Sequence, residues 1–257
     1  MEPELLYRIK GETAWLTINR ESRRNAISRE MIAEIMNRLD EAEADPAVHA
    51  LCFTGAGEKA FCSGADLAST LSAGGDIAAG ARHYAQLLKR IGRAGKPLVA
   101  RVNGPCLAGG MGLMLSCDIV IARDDATFGA PEVNVGIFPM MVGALLYRHV
   151  GRKKAMEMVL TGRRVTASEA ERIGLITRAV PPEKLDEAVE ECLSGLAEKS
   201  PLGIAMGKRA FYKMADLPFE EALDYLSEQL IQVIATQDAA EGIAAFLEKR
   251  KPVFKGR

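Results

Sequence analysis

Two turns that contain glycine have the residue types and spacing best suited to catalysis in this sequence. They lie in FCSGADL (61–67) and LAGGMGL (107–113), each after an apolar segment. Glycine accepts a positive φ and lets a ligand or another backbone approach closely. If the two turns face each other, two backbone N–H groups can bind one oxygen, which makes an oxyanion hole. Turns of small residues also allow close packing of a helix on a strand, so composition alone leaves both interpretations open.

One acidic residue is placed where it could transfer a proton. Glu132 follows Pro131 in TFGAPEVNVGIFP (127–139), a stretch with no other charged side chain. A carboxylate in such a stretch lies beside water at a pocket, or it is partly buried with a raised pKa, and both situations suit a general base. A solvated glutamate at the end of a strand would give the same pattern.

Composition excludes several classes of function. Lys and Arg number 33, Asp and Glu number 34, and the net charge is −1, so no field attracts nucleic acid or an anionic membrane. The histidines at positions 49, 83 and 149 lack metal-ligand spacing, so we expect no metal. The five cysteines form no CxxC pair and most lie in apolar segments, which predicts reduced thiols and a cytoplasmic protein without a signal peptide.

The elements that must position these residues follow a changing pattern. The first half predicts a hairpin around residues 11–12, a helix that begins after Ser28, a strand that ends at Gly55, a helix over 77–92 and a strand before Asn103. Beyond residue 140 the periodicity predicts mostly helices, with the last one running from Pro218 to the end of the chain.

Six motifs in a fixed order resemble one known family. They are NRESRRNAIS, GEKAFCSGADL, VNGPCLAGGMGLMLSCDIVIA, ATFGAPEVNVGIFP, LTGRRVTASEAERIGLI and GIAAFLEKRKPVFKG, which together span almost the whole chain. In this order they resemble the enoyl-CoA hydratase/isomerase family, the crotonase superfamily. The resemblance implies an α/β fold of the ClpP/crotonase type, a spiral of ββα repeats in residues 1–195, and a helical oligomerisation region in residues 196–257. It also implies an acyl-CoA thioester as substrate and assembly as a homotrimer or a dimer of trimers.

The resemblance assigns roles to individual residues. The backbone N–H groups of Ala65 and Gly109 would bind the thioester oxygen, and Gly110 would let the substrate come close. Glu132 matches one of the two catalytic glutamates of the family's hydratases. The other would fall at Gly112, which has no acid, and this is the main departure from the hydratase pattern.

The resemblance also implies a coenzyme A site, with CoA as part of the substrate and no separate cofactor. Residues near Arg24 and Ala26 would contact CoA, and the segment with Lys59, Ala65, Asp66 and Leu67 would hold the pantetheine. Lys249, contributed by the same or a neighbouring subunit, would bind the phosphates of CoA. The alternative is that Lys249 is a solvated charge near the end of the chain. The side chains expected to line or back the acyl pocket, unless they are plain core, are Phe138, Met140 and Met141.

A single carboxylate favours one reaction over another. Moving a double bond needs one base, which takes a proton from one carbon and returns it to another, whereas adding water needs the water to be oriented and deprotonated as well. The sequence therefore favours isomerisation through a thioester enolate. The alternatives are hydration of a 2-enoyl-CoA with Asp76 or His83 as the second group, and a catalytically silent protein that binds acyl-CoA.

Overall fold

The strands of this chain form two sheets, a larger one of six strands and a smaller one of three. The computed structural model describes residues 2–66 and 76–257, and within these residues it has nine strands and ten α-helices. The strands are β1 (Leu5–Lys10), β2 (Thr13–Ile18), β3 (Ala50–Gly55), β4 (Leu98–Val102), β5 (Cys106–Leu107), β6 (Ile119–Arg123), β7 (Thr127–Gly129), β8 (Arg164–Thr166) and β9 (Arg178–Val180). The helices are α1 (Arg29–Ala44), α2 (Ile77–Gly92), α3 (Gly109–Leu115), α4 (Met140–His149), α5 (Arg152–Thr161), α6 (Ala167–Arg172), α7 (Leu185–Ala197), α8 (Pro201–Met214), α9 (Phe219–Ile234) and α10 (Gln237–Leu247).

The larger sheet has six strands in the order β1-β2-β3-β4-β6-β9. The predicted hairpin is confirmed, because β1 and β2 are antiparallel and Lys10 pairs with Thr13 across the turn. Every other neighbouring pair in this sheet is parallel. The smaller sheet has the order β5-β7-β8, with β5 parallel to β7 and β8 antiparallel to it.

Local signals account for the first two helices. The Ser28 hydroxyl accepts a hydrogen bond from the Met31 N–H at 3.1 Å, so Ser28 is the N-cap of α1 as predicted. Helix α2 covers the predicted residues, and the Asp76 carboxylate caps it by accepting from the Ala79 N–H at 3.0 Å. Both helices place an apolar stripe against the main core.

Helix α7 covers a second, smaller apolar cluster on the larger sheet. Its buried side chains Leu185, Val189 and Leu193 pack with residues of β3, β4 and β6. The sheet partners are Ala50, Cys52, Val99 and Ile121. Both faces of the central strands are therefore buried, as expected for a parallel sheet.

The second half differs from its predicted helical pattern in two places. Strands β8 and β9 lie in it, and their three residues each are too short to show an alternating pattern. The expected final helix is two helices, α9 and α10, and the chain is not helical beyond residue 247. Within the described residues no single helix is long and apolar enough to cross a membrane. One pair of helices, α9 and α10, is together long and apolar enough, but the pair is bent by 74°.

Candidate active site

The first glycine turn, residues 62–66, is held beside the strand-like residue Ile27. The Ile27 N–H donates to the Gly64 carbonyl at 2.8 Å, and the Ile27 carbonyl accepts from the Asp66 N–H at 2.9 Å. In a parallel bridge of this kind the residue between the two partners, Ala65, directs its own N–H away from Ile27. Among the described residues this N–H donates no backbone hydrogen bond.

The second glycine turn, residues 107–112, is fixed by the smaller sheet. The Ala108 N–H donates to the Gly129 carbonyl at 2.9 Å. Ala108 has φ +48°, which is uncommon for a residue with a side chain and is a form of strain found at functional sites. Gly109 follows as the first residue of α3, so its N–H has no partner within the helix.

Close packing brings the two turns together. A Cβ on Gly64, which has φ +103°, would lie 2.7 Å from the Ala108 Cβ. A Cβ on Gly110 would lie 2.4 Å from the Cys62 carbonyl oxygen. The missing side chain at Gly110 therefore admits the backbone of the first turn.

The backbones of Ala65 and Gly109 lie close together around the small space at the Cβ position of Gly109. The position of a Cβ on Gly109 lies 3.5 Å from the Ala65 nitrogen and 3.5 Å from the Tyr84 hydroxyl oxygen. The Cys62 thiol next to this space stays protonated, because burial raises its pKa to about 12. The space is thus bordered by backbone donors and neutral side chains, which suits the binding of a developing oxyanion.

Glu132 lies in a short 3-10 turn, Pro131–Val135, that follows β7. Because β7 pairs with β5, the same small sheet positions this turn and the second glycine turn. The Glu132 Oε2 atom is buried and has no hydrogen-bond partner within the described residues. Burial raises the pKa of the Glu132 carboxyl. These are the properties of a general base that is kept free to take a proton.

Tyr84 was missed by the sequence analysis and lies at the centre of the site. Its hydroxyl donates to the Gly109 carbonyl at 2.5 Å. A Cβ on Gly112 would lie 2.0 Å from the same hydroxyl oxygen. Burial raises the pKa of Tyr84 well above its usual value, and interactions with Cys62, Cys106 and Glu132 add to this effect.

The helical spacing of the α2 sequence indicates that Tyr84 points toward the core. Tyr84, Leu88 and Ile91 lie on the face of α2 that packs against the core, so an aromatic side chain with a polar tip points inward. The two residues expected as alternative second groups are placed elsewhere, since Asp76 caps the helix and both Asp76 and His83 are exposed.

Two of the expected CoA residues line one cavity of about 330 Å³. Its lining residues are Arg24, Lys59, Ala60, Ser63, Pro105, Leu107 and Arg164. Ser63 and Leu107 belong to the two glycine turns, so the cavity opens beside the oxyanion space. Arg164, on β8, was not predicted and brings a third cation to Arg24 and Lys59. Three cations around one cavity suit the phosphates of CoA.

A buried asparagine positions the cavity's basic residues. The Asn25 amide donates to the carbonyls of Ala56 at 3.0 Å and Ala60 at 2.7 Å. Arg24 and Asn25 both have positive φ, a region that asparagine adopts more readily than most residues. Asn25 thereby ties the segment after β2 to the segment that carries Lys59.

The remaining expected site residues have other surroundings. Ala26 and Asp66 are buried and bind Arg20, which donates to the Ala26 carbonyl at 2.7 Å and pairs with Asp66 at 2.8 Å. The Arg20–Asp66 ion pair thus holds Asp66, the residue that follows Ala65 in the first glycine turn. Lys249 is exposed beyond α10 and is not one of the cavity's lining residues. Leu67 lies outside the described residues.

An exposed apolar segment follows Glu132 directly. The side chains of Val135, Ile137, Phe138 and Met140 are all exposed, and that of Met140 is 71% exposed. Met141 is half-buried against the main core. Two of the acyl-pocket residues expected from the sequence, Phe138 and Met140, therefore belong to an exposed surface that follows the candidate base in the chain.

Comparisons with known proteins identify the family of this chain. The model of the enoyl-CoA hydratase/isomerase family matches residues 8–257. The chain is 36% identical to the 2,3-dehydroadipyl-CoA hydratase of Escherichia coli, over 99% of both chains. The crystal structure of an enoyl-CoA hydratase from Bacillus anthracis superposes with a TM-score of 0.94 at 31% identity and covers 99% of this chain and 100% of its own. That of an enoyl-CoA hydratase from Mycobacterium smegmatis also has a TM-score of 0.94, at 35% identity, with 98% of this chain and 99% of its own covered. This chain therefore has the crotonase fold and is an enzyme of the enoyl-CoA hydratase/isomerase family.

Proposed function

We propose that this enzyme shifts the double bond of an enoyl-CoA by proton transfer through one carboxylate, that of Glu132. The thioester oxygen accepts hydrogen bonds from the Ala65 and Gly109 N–H groups. Glu132 takes a proton from C2 of a 3-enoyl thioester, and the electron pair of that C–H bond moves toward the carbonyl to form a dienolate. Protonated Glu132 then returns the proton to C4, which leaves the double bond between C2 and C3 and restores the carbonyl.

The observation that carries this proposal is the missing second acid. Gly112 stands at the position expected for the second glutamate, and the Tyr84 hydroxyl fills the space that a side chain there would enter. Glu132 remains as a partly buried carboxylate with a raised pKa. A single carboxylate suffices for removal and return of one proton.

The substrate's two ends fit two different surfaces. The cavity with Arg24, Lys59 and Arg164 supplies positive charge for the phosphates of CoA. The exposed apolar side chains after Glu132 offer a surface for an apolar acyl chain. The pantetheine arm would pass Ser63 and Leu107, which border both the cavity and the glycine turns.

Hydration of a 2-enoyl-CoA is the second candidate. It is favoured by the names of the relatives in Escherichia coli, Bacillus anthracis and Mycobacterium smegmatis, which are all hydratases. A water would then have to be held by Glu132 and a group other than a carboxylate at position 112. A protein that binds acyl-CoA without catalysis is the third possibility.

One assay separates these reactions. The enzyme is incubated with a 3-enoyl-CoA and, separately, with a 2-enoyl-CoA, and the absorbance of the conjugated thioester is followed together with the product mass. We expect absorbance to rise with the 3-enoyl-CoA at unchanged mass. A product of the 2-enoyl-CoA heavier by one water as the dominant result would contradict isomerisation, and binding of CoA without any conversion would indicate a silent protein.

We also propose that the chain assembles as a trimer or a dimer of trimers through its last helices. Helices α8 to α10 carry large apolar side chains on their surface, which a monomer rarely exposes together. These residues are Phe211, Phe219, Leu223, Leu230, Ile231, Ile234, Ile243, Phe246 and Leu247. Phe246 is 82% exposed and Phe219 is 76% exposed, so both are candidates for the centre of an interface.

Sedimentation equilibrium tests this assembly. We expect a mass three or six times that of the 27.7 kDa chain. Phe246→Glu should lower the mass toward that of the monomer, because it places a charge in an apolar interface. Ile9→Glu is the matched control, since Ile9 is an exposed apolar residue on β1, outside the C-terminal helices. A monomeric wild-type protein would contradict the proposal.

A further inference from the structure

The hydroxyl of Tyr84 occupies the place of the missing second acid. Its oxygen lies 2.0 Å from the Cβ position of Gly112, and its ring carbon Cζ lies 3.1 Å from the same position. A side chain at position 112 would therefore require the Tyr84 phenol to move. The glycine at position 112 leaves the space that the tyrosine of α2 occupies.

The same hydroxyl also holds the second oxyanion donor. It donates to the Gly109 carbonyl, the first carbonyl of α3. Gly109 and Gly110 are consecutive glycines, and glycine restricts its backbone less than any other residue. A hydrogen bond at this point therefore limits the backbone freedom of Gly109.

We propose that Tyr84 is a positioning residue that holds Gly109 in the geometry of the oxyanion hole and keeps a second acid and its water out of the site. This inference rests on the proposed function, because it explains how a site with one carboxylate favours proton transfer over hydration. Tyr84 acts through Gly109 and by occupying space, so its effect is on the enolate-like state more than on binding of the substrate.

The first test is Tyr84→Phe, which removes the hydroxyl and retains the ring. Two ligands are compared by calorimetry: a saturated acyl-CoA, and a 3-oxoacyl-CoA whose bound enolate has an oxyanion. We expect the variant to bind the saturated acyl-CoA as the wild type does and the 3-oxoacyl-CoA about tenfold more weakly, the effect of one lost hydrogen bond. Isomerase kcat should fall by a similar factor at unchanged KM.

Tyr7→Phe is the matched control. Tyr7 lies on β1, and its buried hydroxyl has no hydrogen-bond partner in the described part of the chain. It should leave both affinities and kcat unchanged. If Tyr84→Phe keeps the wild-type ratio of the two affinities, the inference is wrong. A wild type that mainly hydrates 2-enoyl-CoA would overturn the isomerase proposal and the exclusion of water by Tyr84. The ratio of the two affinities still tests whether Tyr84 positions Gly109, because it does not depend on which reaction the enzyme catalyses.

The second test exchanges the two groups. Gly112→Glu alone should fail to fold normally or lose activity, because its side chain meets the Tyr84 phenol. The double variant Tyr84→Ala with Gly112→Glu has room for the carboxylate, and we expect it to hydrate 2-enoyl-CoA at least tenfold faster than Tyr84→Ala. A folded double variant, checked by circular dichroism, with no gain over Tyr84→Ala would contradict the exclusion of the second acid by Tyr84.

Discussion

Replacing Glu132 with glutamine is expected to lower kcat on a 3-enoyl-CoA by about 10²–10⁴-fold, the usual contribution of a positioned acid or base. Glutamine has nearly the same shape, but it cannot take the proton from C2. The Glu132 Oε2 atom makes no hydrogen bond within the described residues, so the substitution removes no observed bond of this atom. Steady-state kinetics with the affinity for a saturated acyl-CoA measured in parallel should show a loss in kcat alone.

The matched control for this change is Glu190→Gln. Glu190 is exposed on α7, the helix that covers the second, smaller apolar cluster on the larger sheet. Its substitution should leave kcat and KM within a factor of two of the wild type, since substitutions at exposed sites away from special features have small effects. Full turnover by Glu132→Gln on every enoyl-CoA that the enzyme accepts would rule out Glu132 as the base.

The raised pKa of Glu132 gives this prediction a pH dependence with a definite sign. The base must be ionised, so kcat/KM should fall on the acid side of a pKa that lies above the ordinary value of glutamate.

A raised pKa of Glu132 means that the folded state binds the proton more tightly than the unfolded state. The stability that this provides is present below the ordinary pKa and is lost as pH rises through the raised one. Glu132→Gln should therefore gain stability over the wild type at neutral pH and lose that advantage in acid.

Replacing Gly64 with alanine is expected to lower kcat by about 10²–10³-fold, the effect of one lost oxyanion donor. Gly64 has φ +103°, and its new Cβ would lie 2.7 Å from the Ala108 Cβ and 3.1 Å from the Gly109 nitrogen. The first turn must move away from the second, so the N–H groups of Ala65 and Gly109 no longer face one oxygen. Affinity for a 3-oxoacyl-CoA should fall with kcat, and thermal denaturation reports any loss of stability.

Gly195→Ala is the control for a glycine substitution. Gly195 lies within α7, and its Cβ would meet no atom within 4 Å. Alanine in a helix interior is favoured over glycine by about 0.5–1 kcal/mol, so this variant should be slightly more stable and fully active. A Gly64→Ala enzyme with wild-type kcat would show that the spacing of the two turns does not matter for catalysis.

Most local elements could be predicted because their causes are local. The hairpin of β1 and β2, the cap at Ser28 and the limits of α2 follow from alternation, helical spacing and N-cap preference within a few residues. Strands β8 and β9 could not be predicted, since a strand of three residues is stabilised by its partner in the sheet. The pairing of β8 with β7 joins residues that lie more than 30 positions apart.

The amino-acid sequence by itself determined the two glycine turns, the carboxylate at Glu132 and the lack of an acid at Gly112, because these are properties of single positions and their immediate neighbours. Only the tertiary structure showed that Tyr84 fills the space beside Gly112 and that Arg164 joins Arg24 at the cavity. Those contacts depend on how α2 and β8 pack against distant segments. Their distances are set by the whole core, and no local pattern of residues encodes them.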